Sequence, residues 1–182
     1  YEILSGLVGS EMCIRDRHSY HDFRFSISLM PRQTGKSTSA AGYLLWYAMF
    51  VPDSTILIAA HKYTGSQEIM QRIRYAYESV PDYIRAGAVS YNKGSIDFDN
   101  GSRIVSATTT ENTGRGMSIS LLYADEFAFV RPTIGREFWT SISPTLATGG
   151  KCIITSTPNS DEDQFATSVS YTHLRAHETR ED

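Results

Sequence analysis

Met30-Pro31-Arg32-Gln33-Thr34-Gly35-Lys36-Ser37, followed by Thr38, ends as a phosphate-binding loop ends, in Gly-Lys-Ser. Ahead of it, residues 23–29 alternate apolar and polar side chains like a strand. Behind it, residues 39–50 form an apolar-rich helix carrying Leu44, Leu45 and Trp46. Strand, loop and helix are the context such a loop requires. Backbone N–H groups around Gln33, Thr34 and Gly35, with the helix N-terminus at Thr38, would wrap phosphates, Lys36 would neutralise β/γ oxygens, and the Ser37 hydroxyl would hold magnesium. The pattern G-x-x-x-x-G-K-[ST] has glycine where Met30 stands, so these residues alone are one signal to be joined to others.

The 182 residues are enough for one domain with a substantial core, and 41% hydrophobic with 12% aromatic residues is ordinary for a globular chain. No apolar run approaches the roughly 18 residues of a membrane span, and the start carries no secretory signal pattern, so a soluble intracellular protein with no membrane partner is expected. Cys13 and Cys152 lie far apart and without metal-ligand spacing, which argues against a disulfide scaffold and against zinc.

The two ends differ from the middle. Residues 1–17 (YEILSGLVGSEMCIRDR) and 169–182 (VSYTHLRAHETRED) resemble translated sequencing-adapter read-through and are expected to be non-native, leaving residues 18–168 as the domain proper. His173 and His177 have the i, i+4 spacing of a helical metal pair, but they fall in that segment and are set aside. Without both ends, the 17 Lys and Arg fall by four and the 20 Asp and Glu by six, leaving 13 against 14. Near-neutral charge allows a local nucleic-acid patch and excludes a broadly basic surface.

In chain order, Pro52-Asp53 turns into a buried strand over residues 54–60, then a helix over 65–80 with Ile69, Ile73, Tyr77 and Val80 on one face, stopped by Pro81. Residues 96–98, the Asp99-Asn100-Gly101 turn and residues 103–105 read as a β-hairpin, placed as an insertion before the next core strand. A Thr-, Asn- and Gly-rich loop over 108–117 leads to a buried strand over 119–124, a helix over 137–147 broken near its end by Pro144, and a strand over 152–155. The alternation predicts a three-layer α/β domain with a mainly parallel sheet.

In open α/β sheets ligands bind beyond the carboxyl ends of the strands. Three strands here end in polar chemistry: at the loop, at Asp125-Glu126, and at Thr155-Ser156-Thr157. Asp125 suits magnesium, directly or through water, and Glu126 suits a general base activating the attacking water.

Arg32-Gln-Thr-Gly-Lys-Ser37, Gly114-Arg-Gly-Met-Ser118 ahead of Leu121-Leu-Tyr-Ala-Asp-Glu-Phe-Ala-Phe129, and Thr155-Ser-Thr-Pro-Asn159 together resemble the ATPase domain of tailed-phage terminase large subunits. The resemblance covers about residues 19–167. It implies a RecA-like P-loop NTPase of the catalytic-glutamate division, a motor that uses ATP and Mg2+ to package double-stranded viral DNA in the host cytoplasm. By the same resemblance, Met30 and Arg32 turn from departures into matches, Arg32 becomes a catalytic cation, and Thr155, Ser156 and Thr157 couple hydrolysis to DNA movement. Portal protein and terminase small subunit are the implied partners, in an oligomeric ring. A nuclease domain would follow, and none is expected within this chain. The family's upstream adenine-contacting region has no match here.

Two other readings remain beside it: a helicase-like DNA-dependent ATPase, and an inactive nucleotide-binding fragment. Arg115 could contact phosphate or DNA, or simply be solvated. Arg72 and Arg74 read first as an exposed charged helix face, Tyr75 and Tyr77 as packing, and His61 as a loop histidine with a backbone partner.

Overall fold

The computed structural model describes residues 11–30, 35–147 and 149–157. Its first element, helix α1 (Glu11–Asp22), leads into strand β1 (Phe25–Leu29) and, past the loop, helix α2 (Lys36–Phe50). Then come β2 (Thr55–Ala60), α3 (Tyr63–Ser79), β3 (Ala88–Tyr91), β4 (Ser95–Phe98), β5 (Arg103–Thr108) and β6 (Leu121–Asp125). A 3₁₀ turn (Phe127–Phe129), α4 (Pro132–Leu146) and β7 (Lys151–Ser156) complete them.

The strands form one sheet in the order β1-β7-β6-β2-β5-β4-β3. From β1 across to β5 every pairing is parallel, while β4 and β3 add on antiparallel. The run Ile56-Leu57-Ile58-Ala59 is wholly buried because β2 lies mid-sheet with helices over both faces. One face packs Ile56, Ile58, Tyr123 and Ile153 against Leu44 of α2 and Ile69 and Ile73 of α3. The opposite face packs Leu57, Leu122 and Ile154 against Phe138 and Ile142 of α4. Alternate residues of each strand thus serve opposite layers, which gives the expected three layers.

The hairpin lies where it was expected, and its role is larger than an insertion. Its second strand, β5, pairs parallel to β2 with Ile56 opposite Ile104, so it is a member of the main sheet that carries β4 and β3 at its far edge. The aliphatic Ile104, fully buried, explains this, since a surface insertion would have no use for it. Gly101 takes φ 81°, and Gly101 N–H donates to Phe98 O at 3.2 Å. Asn100 Nδ2 donates to Ala48 O at 2.9 Å and Met49 O at 3.2 Å, closing two carbonyls at the end of α2 that have no partner further along the helix.

Four further differences from the sequence reading have simple causes. Helix α4 begins at Pro132, five residues before Glu137, because proline's fixed φ and missing N–H suit the first helical turn. Pro144 sits in the last turn of that helix, where its missing N–H removes one bond just before the helix ends. The edge strand β3 is mostly exposed and lacks the apolar run that marks a buried strand. Tyr77 is buried with its hydroxyl on Ala86 O at 2.7 Å, as packing requires, whereas Tyr75 is 68% exposed and packs little.

Helix α1 crosses position 17 without a break. Tyr20 on it is fully buried, its ring 5.6 Å from that of Tyr43, whose hydroxyl donates to Tyr20 O at 3.0 Å. His173, His177 and the rest of the C-terminal segment lie outside the described residues. Among the described residues, no helix is long and apolar enough to cross a membrane and no three His, Cys, Asp or Glu side chains cluster as a metal cage. Cys152 is buried as a free thiol, and burial pushes its pKa up to about 12.

Candidate active site

Parallel register aligns the strand tips. Leu29 stands opposite Ser156, Thr155 opposite Asp125, and Asp125 opposite Ala60. Met30 N–H donates to Ser156 O at 3.0 Å, so the chain enters the loop already fastened to the tip of β7. It leaves the loop through Gly35, whose φ of 81° turns it into α2, and Ser39 N–H closes the first helical bond onto Gly35 O at 2.9 Å. Arg32, Gln33 and Thr34 lie outside the described residues, as do Pro158 and Asn159.

Lys36, 7% exposed at the first turn of α2, forms an ion pair with Glu126 Oε1. Ser37 and Thr38 follow on the same turn, and Arg72 of α3 reaches over so that its Nη1 donates to Thr38 Oγ1 at 3.2 Å. Beside Thr38 a cleft of about 470 Å3 opens between α2 and α3, lined in part by Gly42, Gln71, Arg72 and Tyr75.

The two acids at the tip of β6 are neighbours with different surroundings. Asp125 is 8% exposed; Thr155 Oγ1 donates to its Oδ1 at 2.9 Å and the Tyr123 hydroxyl lies 3.2 Å from the same oxygen. Burial dominates and pushes the Asp125 carboxyl upward, although the Thr155 hydroxyl and the Lys36 charge oppose it. Glu126 is held below the usual range: burial would raise it, but the Lys36 hydrogen bond and charge and the two Thr157 donors outweigh that. Thr157 Oγ1 donates to Glu126 Oε2 at 3.1 Å and Thr157 N–H at 3.4 Å.

Strand alternation alone would turn Glu126 away from Asp125, toward the α4 layer. Its φ of 52° and ψ of 42° break the alternation, and the carboxylate comes back to Lys36. A non-glycine residue in this region costs about 1–2 kcal/mol, and such strain gathers where a side chain is needed in one place.

The structure therefore brings Lys36, Asp125, Glu126, Thr155 and Thr157 into one cluster. It keeps Ser156 apart, because the Ser156 hydroxyl faces the other layer, accepting from Ala128 N–H at 3.1 Å and donating to Thr157 O. Tyr123 was missed in the sequence reading. Its signal was the i, i+2 spacing to Asp125, which places a hydroxyl on the acid's own face of β6. Arg115 is exposed with Nη1 on Asn112 Oδ1 at 3.0 Å, Arg74 donates to Lys93 O at 2.9 Å, and the His61 ring lies 6.5 Å from that of Phe129.

A mostly parallel α/β sheet with a glycine-turned loop, a buried lysine and two acids at the tip of one strand is the RecA-like P-loop fold. Residues 27–175 match the family described as terminase large subunit, T4likevirus-type, N-terminal, and the chain belongs to that family. Among solved structures, the fold is similar to the large terminase ATPase domain of Thermus phage P74-26, in a variant form, with TM-score 0.74, 20% identity, and coverage of 88% of this chain and 70% of that one. The HK97 bacteriophage large terminase is similar at TM-score 0.73 and 16% identity, over 91% of this chain and 35% of that chain. The large terminase of a thermophilic bacteriophage, solved in complex with ADP, is similar at TM-score 0.63 and 12% identity, over 84% of this chain and 39% of that one. The chain thus spans most of a terminase ATPase domain and well under half of the larger terminase chains it resembles.

Proposed function

We propose that this domain hydrolyses ATP with Mg2+ and, within a terminase large subunit, uses the reaction to move double-stranded viral DNA. The observation that carries the proposal is the meeting of Lys36, Asp125 and Glu126 at one strand edge.

In this reading Gln33, Thr34, Gly35, Lys36, Ser37 and Thr38 bind the phosphates, and phosphate oxygens compete with Glu126 for Lys36. The released Glu126 carboxylate, still held by the Thr157 hydroxyl and N–H, accepts a proton from water. The water oxygen then bonds to the γ-phosphorus as the bond to the β–γ bridging oxygen breaks. Arg32 is the cation that meets charge building on the transferred group. Ser37 and Asp125 fit magnesium, because that ion takes hard oxygen ligands, commonly one or two from protein with the rest from phosphates and water. Bound there, it would neutralise phosphate charge. A buried carboxylate whose ionisation is opposed by desolvation is also one that a cation would favour in its charged form.

Family membership supports the larger setting: double-stranded DNA as the track, portal protein and terminase small subunit as partners, an oligomeric ring, and the cytoplasm of the infected host. Thr155, Ser156 and Thr157 are the coupling residues on this reading; Thr155 and Thr157 each bond to one acid, while Ser156 ties the strand tip to Ala128 on the opposite layer.

Titration calorimetry beside a phosphate-release assay tests the site. Lys36→Ala is expected to lose nucleotide binding, while Glu126→Gln keeps it and loses turnover by roughly 10²–10⁴-fold. Unchanged turnover in Glu126→Gln would remove the glutamate from the mechanism.

A further inference from the structure

We infer that Tyr123 and Thr155 form a two-hydroxyl relay that fixes Asp125 for magnesium, so that the threonines at the tip of β7 divide their work, Thr155 serving the metal acid and Thr157 the water-activating acid. The inference rests on the ATPase reading above and assigns positioning roles that reading leaves open.

The hydrogens can be counted. Each hydroxyl brings one hydrogen, and an ionised carboxylate only accepts. Thr155 Oγ1 donates to Asp125 Oδ1 at 2.9 Å, which uses its hydrogen. The Tyr123 hydroxyl lies 2.9 Å from Thr155 Oγ1 and 3.2 Å from Asp125 Oδ1. With the Thr155 hydrogen spent on the acid, the single Tyr123 hydrogen serves both remaining contacts, shared between Thr155 Oγ1 and Asp125 Oδ1. Both donors converge on Oδ1, and every bond in the triangle runs toward the carboxylate. Both hydrogens are thus accounted for with the acid ionised and accepting only.

Sequence and register produce this arrangement. Tyr123 and Asp125 share a face of β6 by two-residue spacing, and parallel pairing sets Thr155 of β7 directly opposite Asp125. Tyr123 and Thr155 are both fully buried, so water does not compete for the bonds. The carboxyl torsion of aspartate is ordinarily broad, and two hydroxyls on one oxygen restrict it, giving the second oxygen a fixed position. Magnesium demands near-ideal octahedral geometry, so a fixed oxygen is of value to it. The Thr157 hydroxyl and N–H both go to Glu126 Oε2 instead.

The test uses the full 182-residue chain, with ADP binding measured by calorimetry in EDTA and across a MgCl2 titration. Thr155→Val is expected to raise the magnesium concentration at half-effect by roughly 10–100-fold, the usual range for groups that orient metal ligands. Its ADP affinity in EDTA should stay within about twofold of wild type, and Thr155→Ser should restore the magnesium midpoint because it restores the donor. Tyr123→Phe keeps the ring and loses only the relay's first hydrogen, so its midpoint should move in the same direction by less. Thr157→Val should leave the midpoint in place. A loss of affinity as large in EDTA as in magnesium would overturn the relay in favour of general packing, and so would unmoved midpoints in both Thr155→Val and Tyr123→Phe. If the wild-type chain bound ADP with no response to magnesium, the metal reading of Asp125 in the parent proposal would itself fall.

Discussion

Two tight turns in this molecule solve the same backbone problem with different residues. At the hairpin tip, residues 99–101, the left-handed position is taken by Gly101 with φ 81°. At the tip of β6 it is taken by Glu126 with φ 52°. A side chain at position 101 has no task, and an added Cβ would sit 2.2 Å from Asp53 Oδ1. At position 126 the side chain is the purpose of the turn, because only the left-handed backbone returns its carboxylate to Lys36 and Thr157. Gly101 thus serves the path of the chain, whereas the left-handed Glu126 places a carboxylate against Lys36 and Thr157, the contact on which the proposed hydrolysis rests.

Gly101→Ala should show the largest stability effect of this contrast. Steric conflict with Asp53 and an L residue in the left-handed region should together lower stability by about 1–2 kcal/mol, or on the order of 5 °C in melting temperature. Turnover per folded molecule should be unaffected, since the hairpin tip contacts the end of α2 and not its first turn. A melting temperature equal to wild type would show that the turn relaxes freely.

A smaller effect is expected at position 126, read by comparing two variants that both lack the carboxylate. Glu126→Gly should melt a few degrees above Glu126→Gln, because it releases roughly 1 kcal/mol of left-handed strain while the lost charge is common to both. Equal melting temperatures would mean that φ 52° carries no cost here.

The pH response should be smaller still, as the Glu126 side chain keeps 32% of its surface in water and its ion pair is screened accordingly. Its folded pKa is lowered from 4.5, so the stabilisation is present above that value and is lost as pH falls through the folded pKa. Asp125 acts in the opposite sense: with its pKa raised from 3.8, its ionised form is penalised at neutral pH and that penalty fades on acidification. The melting-temperature gap between wild type and Glu126→Gln should therefore hold from neutral pH to about 4.5 and narrow below it. A gap independent of pH down to 3 would assign the difference to something other than the carboxylate's charge.

The layers, the parallel sheet and the two strand-end acids were legible in the sequence because each rests on a short local pattern. Aliphatic runs such as Ile56-Leu57-Ile58 mark buried strands, and an acid pair after Leu121-Leu122-Tyr123-Ala124 marks a strand tip. The start of α4 was legible too, in Pro132, had proline been read as a helix opener. The membership of β5 in the main sheet was not, since the Asn-Gly turn fixes only its local partner β4. Whether β5 also meets β2 depends on a long-range pairing that no hairpin signal encodes.

Sequence by itself determined which chemistry this chain carries: one lysine on a glycine-ended loop, two adjacent acids, and a threonine pair, each at the end of an apolar run. Tertiary structure alone decided which of those groups touch. Register set Thr155 against Asp125, the left-handed Glu126 reached Lys36 across 90 residues of chain, and Ser156, flanked by two site residues, was turned to the opposite layer. The physical reason is that residue type fixes what a side chain can donate, accept or neutralise, whereas its direction follows from strand alternation, one backbone torsion and the pairing of strands distant in sequence.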